Sequence, residues 1–145
     1  MKVTGTGNPA SLTLRLRERE VAGLKEELGH RAAVADDASN QSLAFDGRPN
    51  PDDILVAVTV MLDQLAATSV NEQGRVVVSG PTWLLAPAIR GATAEAAERL
   101  VSVLRRFARD GDAAPEELRD AISAASAWSE TLMGSEHVQR HGLPA

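Results

Sequence analysis

The sequence predicts a helix-dominated α+β domain: four to five helices and a small antiparallel sheet of two or three short strands, at 11–17, 75–79 and, as a candidate third, 42–45. Three observations lead there. In "SLTLRLREREVAGLKEELG" (11–29) a strict alternation of Leu12, Leu14 and Leu16 with Thr13, Arg15 and Arg17 gives way to helical spacing at Val21, Leu24 and Leu28. "RVVVSG" (75–80) is a short β-branched run between turn residues. The remaining segments carry helix-start chemistry followed by apolar residues three and four apart.

Taken in order, residues 1–10 read as a loose Gly/Thr/Asn/Pro-rich tail and 11–134 as a single domain. After the first strand, 18–32 predicts a helix with Val21, Leu24, Leu28 and Ala32 inward and Glu18 and Glu20 near its positive end. Residues 33–50 read as a long connection in which "SLAF" (42–45) is the candidate strand. The next helix starts with Asn50 as N-cap, Pro51 in the first position and Asp52 and Asp53 against the dipole. It is apolar almost all round, with Ile54, Val58, Met61 and Leu65 on one face and Leu55, Val56, Val60 and Leu62 widening it.

Asn71 to Gly74 predicts a turn into the strand at 75–79. "PTWLLAPAI" (81–89) opens a helix that Pro87 should kink and Gly91 should end. Thr93 then caps a helix with Ala97, Leu100, Leu104 and Phe107 inward, Glu95–Arg99 and Arg106–Asp110 as ion pairs along it, and Gly111 as its stop. Pro115, Glu116 and Glu117 start the last helix, whose stripe is Leu118, Ile122, Ala125 and Leu132 flanked by Trp128. Gly134 ends it, leaving 135–145 as a polar tail.

Composition narrows the function. The chain of 145 residues is long enough to bury roughly two-thirds of its unfolded surface without staples. It has no cysteine, which removes thiolate nucleophiles, disulfides and thiolate metal sites. A net charge of −5 argues against broad nucleic-acid or anionic-membrane binding, and thirteen of the fifteen basic residues are arginine. The N-terminus shows no secretory pattern, and the longest apolar run, "ILVAVTVML" (54–62), falls short of a bilayer span. The expectation is a cytoplasmic protein with no membrane partner.

Catalytic signals are sparse. Adjacent acids at Asp36-Asp37, Asp52-Asp53 and Glu116-Glu117 diverge on a helix, and no nucleophile elbow, zincin or kinase signature occurs. "RVVVSGPTW" has a strand-to-helix geometry that suits a phosphate, but Pro81 removes a donor and no lysine follows. In "EHVQRH" (136–141), His137 and His141 are one turn apart, a weak metal pair without an evident third ligand. "RRFARD" (105–110) sets Arg105 and Arg109 a turn apart beside Phe107, which the same stripe places inside. No cofactor is expected, and the reading leans away from an enzyme.

A strand with outward Thr13, Arg15 and Arg17, then an amphipathic helix, then a capped second helix resembles the ribbon-helix-helix DNA-binding family over residues 11–65. The resemblance implies that the strand pairs with its own copy and that these three residues enter the major groove. The chain departs from that pattern in its long helix-to-helix connection and in Asp52 and Asp53, which repel phosphate where the family anchors it.

The leading expectation is therefore a non-enzymatic protein-interaction or regulatory module, acting as a homodimer or with a protein partner. Its expected interface is Leu55, Val56, Val60, Met61, Trp83 and Leu84, the greasiest surface the helices offer. The alternative is a dimeric DNA-binding regulator that reads DNA with the 11–17 strand.

Overall fold

The computed structural model describes residues 10–40, 51–111 and 115–141. They form β1 (Ser11–Arg17), α1 (Glu18–Asn40), α2 (Pro51–Ala67), β2 (Arg75–Pro81), α3 (Thr82–Asp110) and α4 (Pro115–His141). This is a helix-dominated α+β fold with a two-stranded antiparallel sheet. The candidate strand 42–45 and the cap Asn50 lie outside the described residues.

β1 and β2 pair within the chain, with Leu12 opposite Gly80, Leu14 opposite Val78 and Leu16 opposite Val76. The alternation read from the sequence is the burial pattern: Leu12, Leu14 and Leu16 are buried, Thr13 and Arg15 exposed. The ribbon's apolar face lies on Leu24 and Leu28 of α1, Val58, Met61 and Leu65 of α2, Leu84, Leu85 and Ile89 of α3 and Trp128 of α4. Gly80 is a close approach, for a Cβ there would run into Met61 and Leu85 beneath it. Gly23 likewise leaves room for the Trp128 indole, which a Cβ would meet at 3.2 Å.

The turn before β2 is built on Asn71. Its side-chain oxygen accepts the N–H of Gln73 and of Arg75, both at 2.9 Å, and Gly74 takes φ 75°. Gly111 ends α3 as expected, at φ 65° with its N–H on the Phe107 carbonyl.

Several helix boundaries differ from the sequence reading. α1 runs on through the predicted connection to Asn40, because Ala35 continues its inward stripe and is buried. α3 is one helix rather than two. Pro87 costs it an early bond, to the first turn, and Arg31 of α1 donates to the Pro87 carbonyl at 2.9 Å. Gly91 does not end α3 but lets α1 approach, since a Cβ there would lie 2.6 Å from the Glu27 carboxylate. Thr93 is no cap: its hydroxyl donates back to the Ile89 carbonyl at 2.7 Å. α4 likewise passes through Gly134 to His141, so 135–141 is helix rather than tail, with Ser135 buried.

α3 and α4 form an antiparallel hairpin. Thr93 faces Trp128, Arg99 reaches Asp120 at 3.5 Å and Arg106 bonds Glu117. Arg99 thus pairs across the hairpin rather than with Glu95 as expected, while the side chain of Asp110, the expected partner of Arg106, lies outside the described residues. The outer half of the hairpin has its own cluster, Val103 and Ala121 with Leu100 and Leu118 against them. The faces expected to turn inward therefore shift. Val103 is buried, whereas Ala97, Leu104 and Phe107 on α3 and Ile122 on α4 are exposed.

Leu16 sits at the centre of the core with no accessible surface. Leu16→Ala is expected to lower the free energy of unfolding by about 2–5 kcal/mol, read from urea denaturation with an unchanged m-value.

Candidate interaction surfaces

The outward face of the β ribbon is largely self-engaged. Thr13 and Ser79, opposite one another, join their hydroxyls at 2.9 Å. Arg17 bonds Glu130 of α4 and lies 3.6 Å from the Glu20 carboxylate. The hydrogen bond to Glu130 is the main cause that raises the Arg17 guanidinium above its ordinary pKa, and it lowers that of the exposed Glu130 carboxyl. Arg15, unlike Arg17, has no ion pair among the described residues. It flanks a groove of about 250 Å³ between β1 and α4, with Leu12, Leu14, Thr131 and Val138 among the lining residues. The ribbon-helix-helix resemblance implied that β1 pairs with its own copy; here it pairs with β2.

Glu20 is the one charged side chain buried among the described residues, at 0% exposure. It occupies the third position of α1 and accepts the Arg17 N–H at 2.9 Å, half of a capping box. Its other oxygen accepts the Thr131 hydroxyl of α4 at 2.6 Å. A buried carboxylate with both oxygens bonded and a guanidinium nearby is satisfied, which makes it a structural tie between α1, β1 and α4. The sequence reading placed Glu20 only at the helix dipole; the signal that it does more is its spacing of three from the cap.

The other β edge is closed by a side chain. Gln64 of α2 accepts the Ser79 N–H at 2.7 Å and donates to the Ser79 carbonyl at 3.0 Å, as a neighbouring strand would. Ser79 and Gly80 therefore lie within β2, with both backbone polar groups of Ser79 engaged and Gly80 packed over Met61 and Leu85, rather than in a loop between strand and helix.

His137 and His141 do share a helix face, with ring centroids 4.6 Å apart. Among the described residues no group of three or more His, Asp or Glu side chains gathers as a metal site. A second polar region lies between α1 and α3, where Glu26, Glu27, His30, Glu95 and Glu98 line a cleft of about 470 Å³. Burial raises the Glu95 carboxyl above its usual pKa, and Glu26, Glu27 and Glu98 add to this while His30 opposes it.

The expected interface residues divide. Met61 and Leu84 are buried in the core of the single chain, because Met61 packs beneath Gly80 and Leu84 joins the ribbon's apolar face. In the single chain both are core residues. Leu55 is half-buried, while Val56 (64%), Val60 (57%) and Trp83 (40%) are exposed. The sequence reading missed a second exposed apolar set on the hairpin: Val101 (44%), Leu104 (45%), Phe107 and Ile122. "RRFARD" accordingly has an exposed Phe107 beside Arg105 rather than a buried one. No described helix is long and apolar enough to cross a membrane.

Two outcomes follow from these charges. Thr131→Val leaves Glu20 Oε2 without its hydroxyl donor and is expected to cost about 1–3 kcal/mol of unfolding free energy. Glu95→Gln is expected to raise the melting temperature at pH 7. A carboxyl whose folded pKa is raised favours the fold below its ordinary pKa and loses that contribution as pH rises through the folded value. The gain should vanish near pH 3, where Glu95 is protonated in both states; an equal gain at both pH values would contradict this account.

Comparison of the chain with protein-family models, with curated proteins and with solved structures found no match.

Proposed function

We infer that the chain is a non-enzymatic interaction or regulatory module that works by self-association or by binding a protein partner. The observation that carries this reading is the quantity and kind of apolar surface left in water. Ten large hydrophobic side chains are exposed among the described residues, and several cluster on single helix faces. Val56 and Val60 lie one turn apart on α2, and Val101, Leu104 and Phe107 succeed one another on α3. Isolated exposed hydrophobics are ordinary, but runs of them along one helix mark contact surfaces. Covering such a surface is favourable by about 25 cal/mol per Å² of apolar area, less the cost of association.

The polar features support the same reading. Glu20, Gln64 and Asn71 are engaged in holding elements together, and Arg17 is shared between two carboxylates. These groups serve the scaffold. A cytoplasmic setting belongs to the same proposal.

Light scattering on the full chain between about 1 and 100 µM, a range matched to micromolar association, is expected to give twice the chain mass. A monomer over that whole range would overturn the homodimer form of the proposal. Retention of duplex DNA at low salt, abolished by Arg15→Ala, would instead favour the DNA-binding alternative.

A further inference from the structure

The exposed apolar residues of α3 are ordered. Ala94, Ala97, Val101, Leu104 and Ala108 are all exposed and follow one another at spacings of 3, 4, 3 and 4 residues. This is the alternation of a coiled-coil seam. It is distinct from the line that packs on α4, where Val103 is buried and Leu100 half-buried. Leu104 follows buried Val103, and Ile122 follows buried Ala121, each turned about 100° round its helix. Antiparallel neighbours wind in opposite senses when viewed from one end, so equal turns bring both side chains to the same face of the hairpin. Exposed Ile122 therefore broadens the seam.

We propose that this face is the docking site for a second copy of the chain, with α3 lying antiparallel on α3 about a twofold axis between Val101 and Leu104. The inference rests on the homodimer reading above and names its surface. The argument for a second copy is that the seam and its flanking charges are complementary to themselves. Reversing α3 about that axis sets Val101 against the partner's Leu104 and Ala97 against the partner's Ala108, a large pair at the centre and small pairs outside.

Glu98 and Arg105 flank the seam on one side, seven residues apart, and neither has an ion-pair partner among the described residues. The axis brings Glu98 of each copy beside the partner's Arg105, so two opposite-charge pairs form at once. On the other flank the exposed Phe107 ring meets the partner's Leu100. A parallel arrangement would face Glu98 and Arg105 with Thr93, Leu100 and Phe107, the residues of the opposite flank, and would pair no charges.

The geometry makes the test specific. Sedimentation equilibrium on the full chain gives the dissociation constant of the dimer. Glu98→Arg and Arg105→Glu each set like charges together twice and are expected to weaken self-association at least about tenfold. An equimolar mixture of the two variants is expected to recover association, because in the mixed dimer every 98–105 contact across the axis again joins Arg to Glu. Leu104→Asp should weaken the dimer and recover in neither mixture. These side chains are exposed, and unchanged helical circular dichroism confirms that the variants fold. A mixture no tighter than its components overturns the antiparallel seam. A dimer untouched by these variants but dissociated by Val56→Asp with Val60→Asp overturns it too, while the homodimer reading stands. A wild-type chain that is monomeric throughout overturns both.

Discussion

A two-stranded ribbon has one apolar face to bury and two edges to close, and most of this molecule answers those needs. The face made by Leu12, Leu14, Leu16, Val76 and Val78 is covered by side chains from all four helices. Both ribbon edges present backbone groups that a wider sheet would pair. At β2 the Gln64 amide binds the N–H and the carbonyl of Ser79, and Asn71 takes both polar groups of Arg75. At the end of β1, Glu20 takes the Arg17 N–H. A single amide or carboxylate from a helix or turn thus substitutes for a missing strand at three places.

Glu20 shows how such a substitution binds distant parts of the chain. Removing a carboxylate from water is costly unless its oxygens find donors, and they find them on two elements far apart in sequence. The Arg17 N–H comes from the strand before α1 and the Thr131 hydroxyl from the last helix. Arg17 then extends to Glu130, one residue from Thr131, so the charge network and the hydrogen-bond network meet. The packing of α4 on β1 and α1 follows from this as much as from Trp128 of α4 seated over Gly23 of α1.

The hairpin of α3 and α4 has a different balance. Near the ribbon it belongs to the main core, whereas farther out the apolar contact between the two helices, among the described residues, is the small cluster of Leu100, Val103, Leu118 and Ala121. Two helices cover one flank of each other and leave the others in water. That is why Leu104 and Ile122 stand exposed although each follows a buried residue, and Val101 although it follows the half-buried Leu100. The structure therefore separates a scaffold, tied together by Glu20, Gln64 and Asn71, from an extension whose apolar face has no partner among the described residues. The interaction reading draws on the second part.

Element types were legible in the sequence because they depend on local chemistry. Alternation makes β1, Pro51 with Asp52 and Asp53 starts α2, Asn71 shapes its turn and Gly111 stops α3. The strands' mutual pairing followed from having two short partners in one chain. Tertiary structure decided what local chemistry leaves open. Gly91 and Gly134 look like helix ends, yet both lie inside helices, and at Gly91 the missing side chain makes room for α1. α3 carries two apolar stripes of helical period, Leu100–Val103–Phe107 and Ala97–Val101–Leu104. Periodicity cannot choose between them, since either would suit a buried face. Only the position of α4 covered Leu100 and Val103 of the first, and left Phe107 and the whole second stripe in water. Glu20 is the same case in polar form: its sequence neighbours assign it to a helix start, and only the arrival of Thr131 from the far end of the chain makes it a buried joint.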